Sequence, residues 1–318
     1  MTGLMENFLE QGFVVVENVL DPQDDLQPIV DDYAARLDEY ARQLYDAGKI
    51  GARYDDLPFN QRFMRVIAES RQPWSQFFDI SLPQSGITVD TPLHLSEVVF
   101  DLLRAPRLLD LVEQLVGPEI LSNPIQHVRI KPPQAVVPPE LRRGLAAQTD
   151  WHQDQGVALP EADESDVLTV WLPVTDATEE NGCLCVIPGS HRGDLSTHCP
   201  GGIDGGLHIP APLLGGTPVA LPMRRGSVLL MHRRTQHASL PNVSGDIRWS
   251  FDLRYQPVGQ PTGRSAFPAF IARSRANPGR ELHDFRAWAD AWQDARRCLA
   301  CGEMPRFNRW DGSAPVCA

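Results

Sequence analysis

His152 and Asp154 stand two positions apart in Thr149-Asp-Trp-His-Gln-Asp-Gln-Gly156. On extended backbone, residues two apart point to the same face, so one metal ion can touch the imidazole and the carboxylate together. A second, distant histidine would complete the two-His, one-carboxylate set that leaves positions open on non-heme Fe(II). A lone His-x-Asp is weak as a signal, because most such residues sit on surfaces or in turns. The third ligand is sought in Gly226-Ser-Val-Leu-Leu-Met-His-Arg-Arg-Thr-Gln-His-Ala-Ser-Leu-Pro-Asn242, which offers His237 and, as its rival, His232.

Two strand-like stretches carry polar groups at alternate positions. From Asp246 to Tyr255, Arg248, Ser250, Asp252 and Arg254 share one face, and Trp249, Phe251, Leu253 and Tyr255 share the other. Alternation alone leaves open whether the polar face meets solvent or a polar barrel interior. An arginine facing inward needs a partner, and a ligand carboxylate would pair it bidentately. In 167–173, Leu168, Val170 and Leu172 suit a core, while Thr169 and Trp171 either frame a pocket or pack as ordinary strand residues. Cys298-x-x-Cys301 is a zinc or redox half-motif without a second pair, and six cysteines in 318 residues make no disulfide scaffold. The arginines Arg224, Arg225, Arg233 and Arg234 read as a solvated face or as an attractor for an anionic substrate. His94, His191, His198, His208 and His283 show no ligand spacing.

The elements that must position these groups divide the chain into a helical part to 118, a β-rich core over 119–257 and a closing segment, 258–318, that turns helical again. Apolar residues recurring at three and four predict helices over 24–47, 60–72, 96–116 and 282–300. Ser96 is the expected N-cap of the third and Gly117-Pro118 its stop. Short apolar runs predict strands over 123–131, 167–173, 183–187, 226–232, 235–240 and 246–256, with β-branched Val14 to Val16 forming another. Loops are expected over 132–147 and over the Gly/Pro-rich 191–222. The latter and 75–95 are candidate lids. The order predicts a mainly β fold with flanking α-helices, one domain over 1–318 built on a β-barrel or jelly roll. Net charge is −12, from 29 basic and 41 acidic residues, which argues against nonspecific nucleic-acid binding. No apolar run reaches membrane-span length, and the N-terminus lacks the basic start of a signal peptide, so the expected location is cytoplasmic.

Four stretches together resemble the phytanoyl-CoA dioxygenase family of Fe(II)- and 2-oxoglutarate-dependent oxygenases. They are Trp151-His-Gln-Asp154; Glu180-Asn-Gly-Cys-Leu-Cys-Val-Ile-Pro-Gly-Ser-His191; Gly226 to His232 leading to His237-Ala-Ser-Leu-Pro-Asn242; and Arg248, eleven residues after His237. The resemblance implies a double-stranded β-helix of the cupin-like kind, with iron held by His152, Asp154 and His237. It implies that Arg248 and Ser239 grip the distal carboxylate of 2-oxoglutarate, with Thr169 and Trp171 nearby. Gln126 matches a glutamine that faces cofactor or substrate in related enzymes, although His127, Arg129 and Lys131 form the opposite face of that strand. Arg254 is a further candidate for substrate recognition.

The implied reaction consumes O2 and 2-oxoglutarate, releases succinate and CO2, and hydroxylates an unactivated C–H of a small organic molecule: a lipid, an acyl-CoA or a secondary metabolite. Ascorbate is a possible supporting reductant. Asp154 favours hydroxylation over halogenation, because related halogenases carry a small residue in its place. Desaturation, ring closure or endoperoxide formation would use the same iron site. Two readings compete from other classes: a non-catalytic jelly-roll binding or sensing protein, and a zinc hydrolase on a cupin-like barrel that would have no use for Arg248. Substrate identity and oligomeric state are not legible in the sequence.

Overall fold

Polar and apolar residues alternate along Arg248–Pro257, and this stretch becomes the longest strand, β11, around which the rest of the chain is arranged. In the computed structural model, residues 3–142, 148–203 and 205–318 are described. The N-terminal part holds α1 (Gly3–Gln11), β1 (Phe13–Val16), α2 (Gln27–Asp46), α3 (Phe59–Ser70), α4 (Glu97–Leu103) and α5 (Pro106–Val116). Then come β2 (Glu119–Ser122), β3 (His127–Lys131), the single turn α6 (Asp154–Val157), β4 (Leu168–Pro173) and β5 (Leu184–Val186). Short β6 (Cys199–Pro200), β7 (Leu207–His208) and β8 (Val219–Leu221) precede β9 (Val228–His232) and β10 (His237–Ser239). After β11 the chain closes with β12 (Phe270–Ser274) and α7 (Phe285–Cys301).

The main sheet is antiparallel, in the order β1-β9-β4-β11-β2-β12, with β3 also on β11. One edge of β11 is shared: Arg248 to Asp252 pair with β3, and Tyr255 to Pro257 pair with β2. A second sheet, β10-β5-β8, lies beside it. The apolar face of β11 (Trp249, Phe251, Leu253, Tyr255) joins Leu168, Val170 and Leu172 of β4 and the inner faces of α2 to α5 in one core. Each such buried side chain contributes about 1.5–3 kcal/mol. The polar face is buried as well: Arg248, Ser250, Asp252 and Arg254 are all at most 8% exposed. The alternation therefore separates two interiors, one dry and one ionic.

Several expectations need correction. The helix expected over 96–116 is two helices, because Pro106 disfavours helical backbone at Ala105, which is extended (φ −51°, ψ 123°). Ser96 caps α4 by accepting from Val99 N at 3.1 Å, as expected. The strand expected over 123–131 covers only His127–Lys131; Asn123, whose side chain bonds Gln256 and Thr262, and Pro124 lie between β2 and β3. The stretch 191–222 is not structureless, since β6 pairs with β7 and β8 pairs with β5. Within the other candidate lid, Phe77, Phe78, Ile80 and Leu82 are core residues, and Asp79 bonds His127 and the Val128 amide, so that segment props β3. In the closing segment, β12 was missed; it pairs with β2. Part of the loop expected over 132–147 lies outside the described residues.

A disulfide joins Cys199 to Cys317, across 118 positions, while Cys298 and Cys301 are free and exposed on α7. Among the described residues no helix is long and apolar enough to cross a membrane.

Candidate metal centre

His152 and His237 face each other as an isolated antiparallel bridge, each backbone amide donating to the other's carbonyl (2.9 and 3.0 Å). The bridge sets the two imidazole centroids 4.1 Å apart. Each Nδ1 lies against a backbone carbonyl two residues back: Asp150 O at 2.8 Å and Thr235 O at 3.0 Å. With Nδ1 as donor, each Nε2 presents a lone pair inward. Gln153 is extended and Asp154 opens α6, so the chain turns into its helical turn as the carboxylate enters the site. The ligand atoms of His152, Asp154 and His237 all lie within 4.8 Å of one another, and all three residues are buried. Burial, and then the neighbouring His237, push the His152 pKa well below its ordinary value, which keeps the ring neutral. His232, the rival, ends β9 and packs on the Phe8 and His191 rings away from this cluster.

Asp154 is ionised against the cost of burial. That cost raises its pKa, but Arg254 above all, with His237, His152 and the Thr169 hydroxyl, hold it far below the usual carboxylate range. Arg254 Nη2 donates to Asp154 Oδ1 and Thr169 Oγ1 donates to Oδ2. Thr169, expected beside 2-oxoglutarate, and Arg254, expected at the substrate, thus both bond Asp154.

Arg248 lies in a cavity shared with His152, His237, Trp171, Thr149, Arg129 and Asp252. Its Nε donates to Gly182 O at 3.1 Å and its Nη1 to Ser250 Oγ at 2.7 Å. Its Nη2 is buried with no partner in the described structure, and the guanidinium lies 5.6 Å from the Trp171 ring. Burial, and then the like charge of Arg129, bring its pKa down to about 9. A buried cation with an unused donor is costly unless an anion completes it.

Ser239 Oγ accepts from Lys131 Nζ at 2.9 Å and from the Thr149 amide at 2.8 Å. Lys131 stands opposite Arg248 in the β3–β11 ladder, and Arg129 stands opposite Ser250. From this strand it is therefore Arg129 and Lys131 that share the polar face of β11. Gln126 precedes β3, is buried, and does not line the cavity. The strand parity that carried this information was visible in the sequence. Arg225, Arg233 and Arg234 are engaged elsewhere, with Pro22 O, Asp166 and Gly193 O.

His198 is a contact that spacing did not reveal. Its Nε2 accepts from the Gln153 amide, between the two ligands, at 2.9 Å. Burial lowers its pKa to about 4, consistent with that acceptor role. Trp310 from the C-terminal tail stacks on His198 (5.2 Å between centroids) and donates to Gly156 O at 2.8 Å. Gly156 leaves no room for a side chain: a Cβ there would meet the His198 ring at 2.3 Å.

The phytanoyl-CoA dioxygenase family profile matches residues 8–250. A probable phytanoyl-CoA dioxygenase of Caenorhabditis elegans is 24% identical over 223 residues, 66% of this chain and 68% of that protein. The 1-deoxypentalenic acid 11-beta-hydroxylase of Streptomyces arenae is 30% identical over 181 residues, 52% of this chain and 59% of the hydroxylase. Among the most similar curated relatives, the matched stretch spans from 39% to 90% of the relative's own length. The fold is similar to that of the non-heme monooxygenase ThoJ in its apo form, with a TM-score of 0.56 and 20% identity over 93% of this chain and 98% of ThoJ. A family match over most of the length, carried on the strands that bring His152, Asp154 and His237 together, shows that the chain belongs to the phytanoyl-CoA dioxygenase family of enzymes.

Proposed function

We propose that the protein is an Fe(II)- and 2-oxoglutarate-dependent dioxygenase that hydroxylates an unactivated C–H of a small organic molecule, built as one domain on a double-stranded β-helix. One observation carries the reading: the partnerless Nη2 of Arg248 lies in the same cavity as the inward-facing nitrogens of His152 and His237. A zinc hydrolase would have no use for a buried, uncompensated arginine beside its metal, whereas a dicarboxylate co-substrate would.

The residues fit the metal. Two imidazoles and one carboxylate form a donor set suited to Fe(II) with open positions. Bound there with 2-oxoglutarate, iron supplies O2 activation coupled to oxidative decarboxylation, which yields succinate and CO2. The chain's own groups do the rest. Arg248 takes the distal carboxylate of 2-oxoglutarate through its unused donor, as a charge-assisted bond. Lys131 adds a second cation on that face, and Ser239, already oriented by Lys131 and Thr149, adds a hydroxyl. Trp171 walls the cavity and limits water. Asp154 remains a ligand, which favours oxygen insertion over halide transfer. The named activity of the Streptomyces relative, a hydroxylase, supports the same reaction type.

The test is succinate formation by the full chain given Fe(II), 2-oxoglutarate, O2 and ascorbate, followed by a mass-spectrometric metabolite screen. Hydroxylation reads as the gain of one oxygen; desaturation or ring closure reads as the loss of two hydrogens. His152→Ala is expected to abolish succinate formation. A wild-type protein that binds metal yet yields no succinate under any condition would instead identify a binding protein.

A further inference from the structure

Arg254 and Thr169 stand directly opposite each other in the β11–β4 ladder. Their side chains converge on one carboxylate, Arg254 Nη2 on Asp154 Oδ1 and Thr169 Oγ1 on Asp154 Oδ2. We propose that this cross-strand pair is a positioning clamp that orients the Asp154 carboxylate for the metal and draws on its charge, which leaves the metal more electron-poor. The inference rests on the metal centre assigned above.

Three features separate the clamp from an incidental ion pair. Both carboxylate oxygens are engaged, so the plane of the group is fixed and not merely its charge. Both donors are stiff. Thr169 is β-branched, fully buried and confined in rotamer, and Arg254 is tethered by a second bond from Nη1 to Ile125 O at 2.9 Å. The rival acceptor is too distant, since Asp252 Oδ1 lies 3.6 Å from Arg254 Nη2, beyond hydrogen-bond reach. The imidazole nitrogens of His152 and His237 lie 3.8 and 4.0 Å from the two Asp154 oxygens, so rotation of the carboxylate would move it away from one histidine or the other. A planar guanidinium and a short hydroxyl oppose that rotation from two strands.

The test uses the full chain, stripped of metal and titrated with Fe(II) without O2, in the presence and absence of 2-oxoglutarate. Two quantities are read: Fe(II) affinity, and the position of the visible iron-to-2-oxoglutarate charge-transfer band at saturating metal. The band is the readout that a purely structural role would leave unmoved. Arg254→Met is expected to weaken Fe(II) binding about 10- to 100-fold and to shift the band, as loss of a ligand's supporting partner does. Arg254→Lys restores part of the affinity but not the band position, because an ammonium lacks the planar fork. Thr169→Val weakens binding by about 3- to 10-fold, and Thr169→Ser recovers most of it. Arg254→Met and Thr169→Val proteins that both bind Fe(II) within about twofold of wild type, with an unshifted band, would overturn the clamp. If Arg254→Met does not fold, the two Thr169 variants decide alone. A wild-type chain that takes up no Fe(II) would sink the metal-centre assignment instead.

Discussion

The two ends of β11 hold two buried arginines in opposite electrostatic conditions. At one end Arg254 is matched: burial counts against its charge, but Asp154 and Asp252 outweigh that and raise its pKa. At the other end, among the described residues, Arg248 has neutral acceptors, one unused nitrogen and a like-charged neighbour in Arg129. The same residue type, six positions apart on the same face of one strand, thus serves a finished site and an unfinished one. The finished end is complete within the protein; under the proposed function the other end takes a dianion. A buried charge without its partner is the more informative of the two, because its cost is repaid only on binding.

The comparison can be broken most directly by stability measurements on the metal-free chain. Arg254→Met is expected to destabilise by about 3–5 kcal/mol, since it strands Asp154 as a buried carboxylate without its cation. Denaturant midpoints at fixed m-value would show it. Arg248→Met should do the reverse to the two observables. It should leave the metal-free stability unchanged or higher, while raising the Kd for 2-oxoglutarate about 100-fold, which corresponds to about 2.7 kcal/mol for a lost charge-assisted pair. Equal stability losses in the two variants would erase the distinction between the ends.

Smaller effects sharpen it. The C-terminal tail reaches the Asp154 end, through Trp310 on His198 and Gly156 and through the Arg309–Asp163 pair. Cys317→Ser is therefore expected to lower stability by about 2 kcal/mol, toward the low side for a disulfide because the tail keeps these other contacts, and to leave 2-oxoglutarate affinity unchanged. Acid sensitivity is a separate effect, which grows as pH falls. His198 and His232 both have folded pKa values lowered to about 4, so the unfolded chain takes up protons first as pH falls. Their contribution to stability is present above about pH 6.5 and declines by about 1.4 kcal/mol per pH unit per group between 6.5 and 4. Thermal midpoints across that window, compared with His232→Gln, would give the His232 share.

The sequence was most legible where period and chemistry coincide. His152-x-Asp154 with His237 is brought together by the bridge between two extended segments, and the alternation of β11 placed Arg248 and Arg254 on one face correctly. Partners were not legible. Strand parity puts Arg254 on the Arg248 face and Thr169 on the Trp171 face, but does not say that the two meet across the ladder and close on Asp154. Gln126 was harder to place for a related reason: β3 starts at His127, later than the apolar run suggests, and Arg129 and Lys131 share the polar face of β11. Pro106 was in plain view yet lost to a strong helical period on both sides of it. The Cys199–Cys317 pairing, over 118 positions, has no local signature at all.

That pairing also changes how the chain would respond to cutting. The segment it closes contains β7 to β12 and α7, and with them His237, Arg248 and Arg254. A single protease nick anywhere within it leaves both pieces on one covalent molecule. Nicked protein would migrate near full mass on a denaturing gel until a thiol is added. Limited proteolysis of this protein should therefore be read in paired oxidised and reduced lanes, where the difference between lanes locates each cut inside or outside the closed segment.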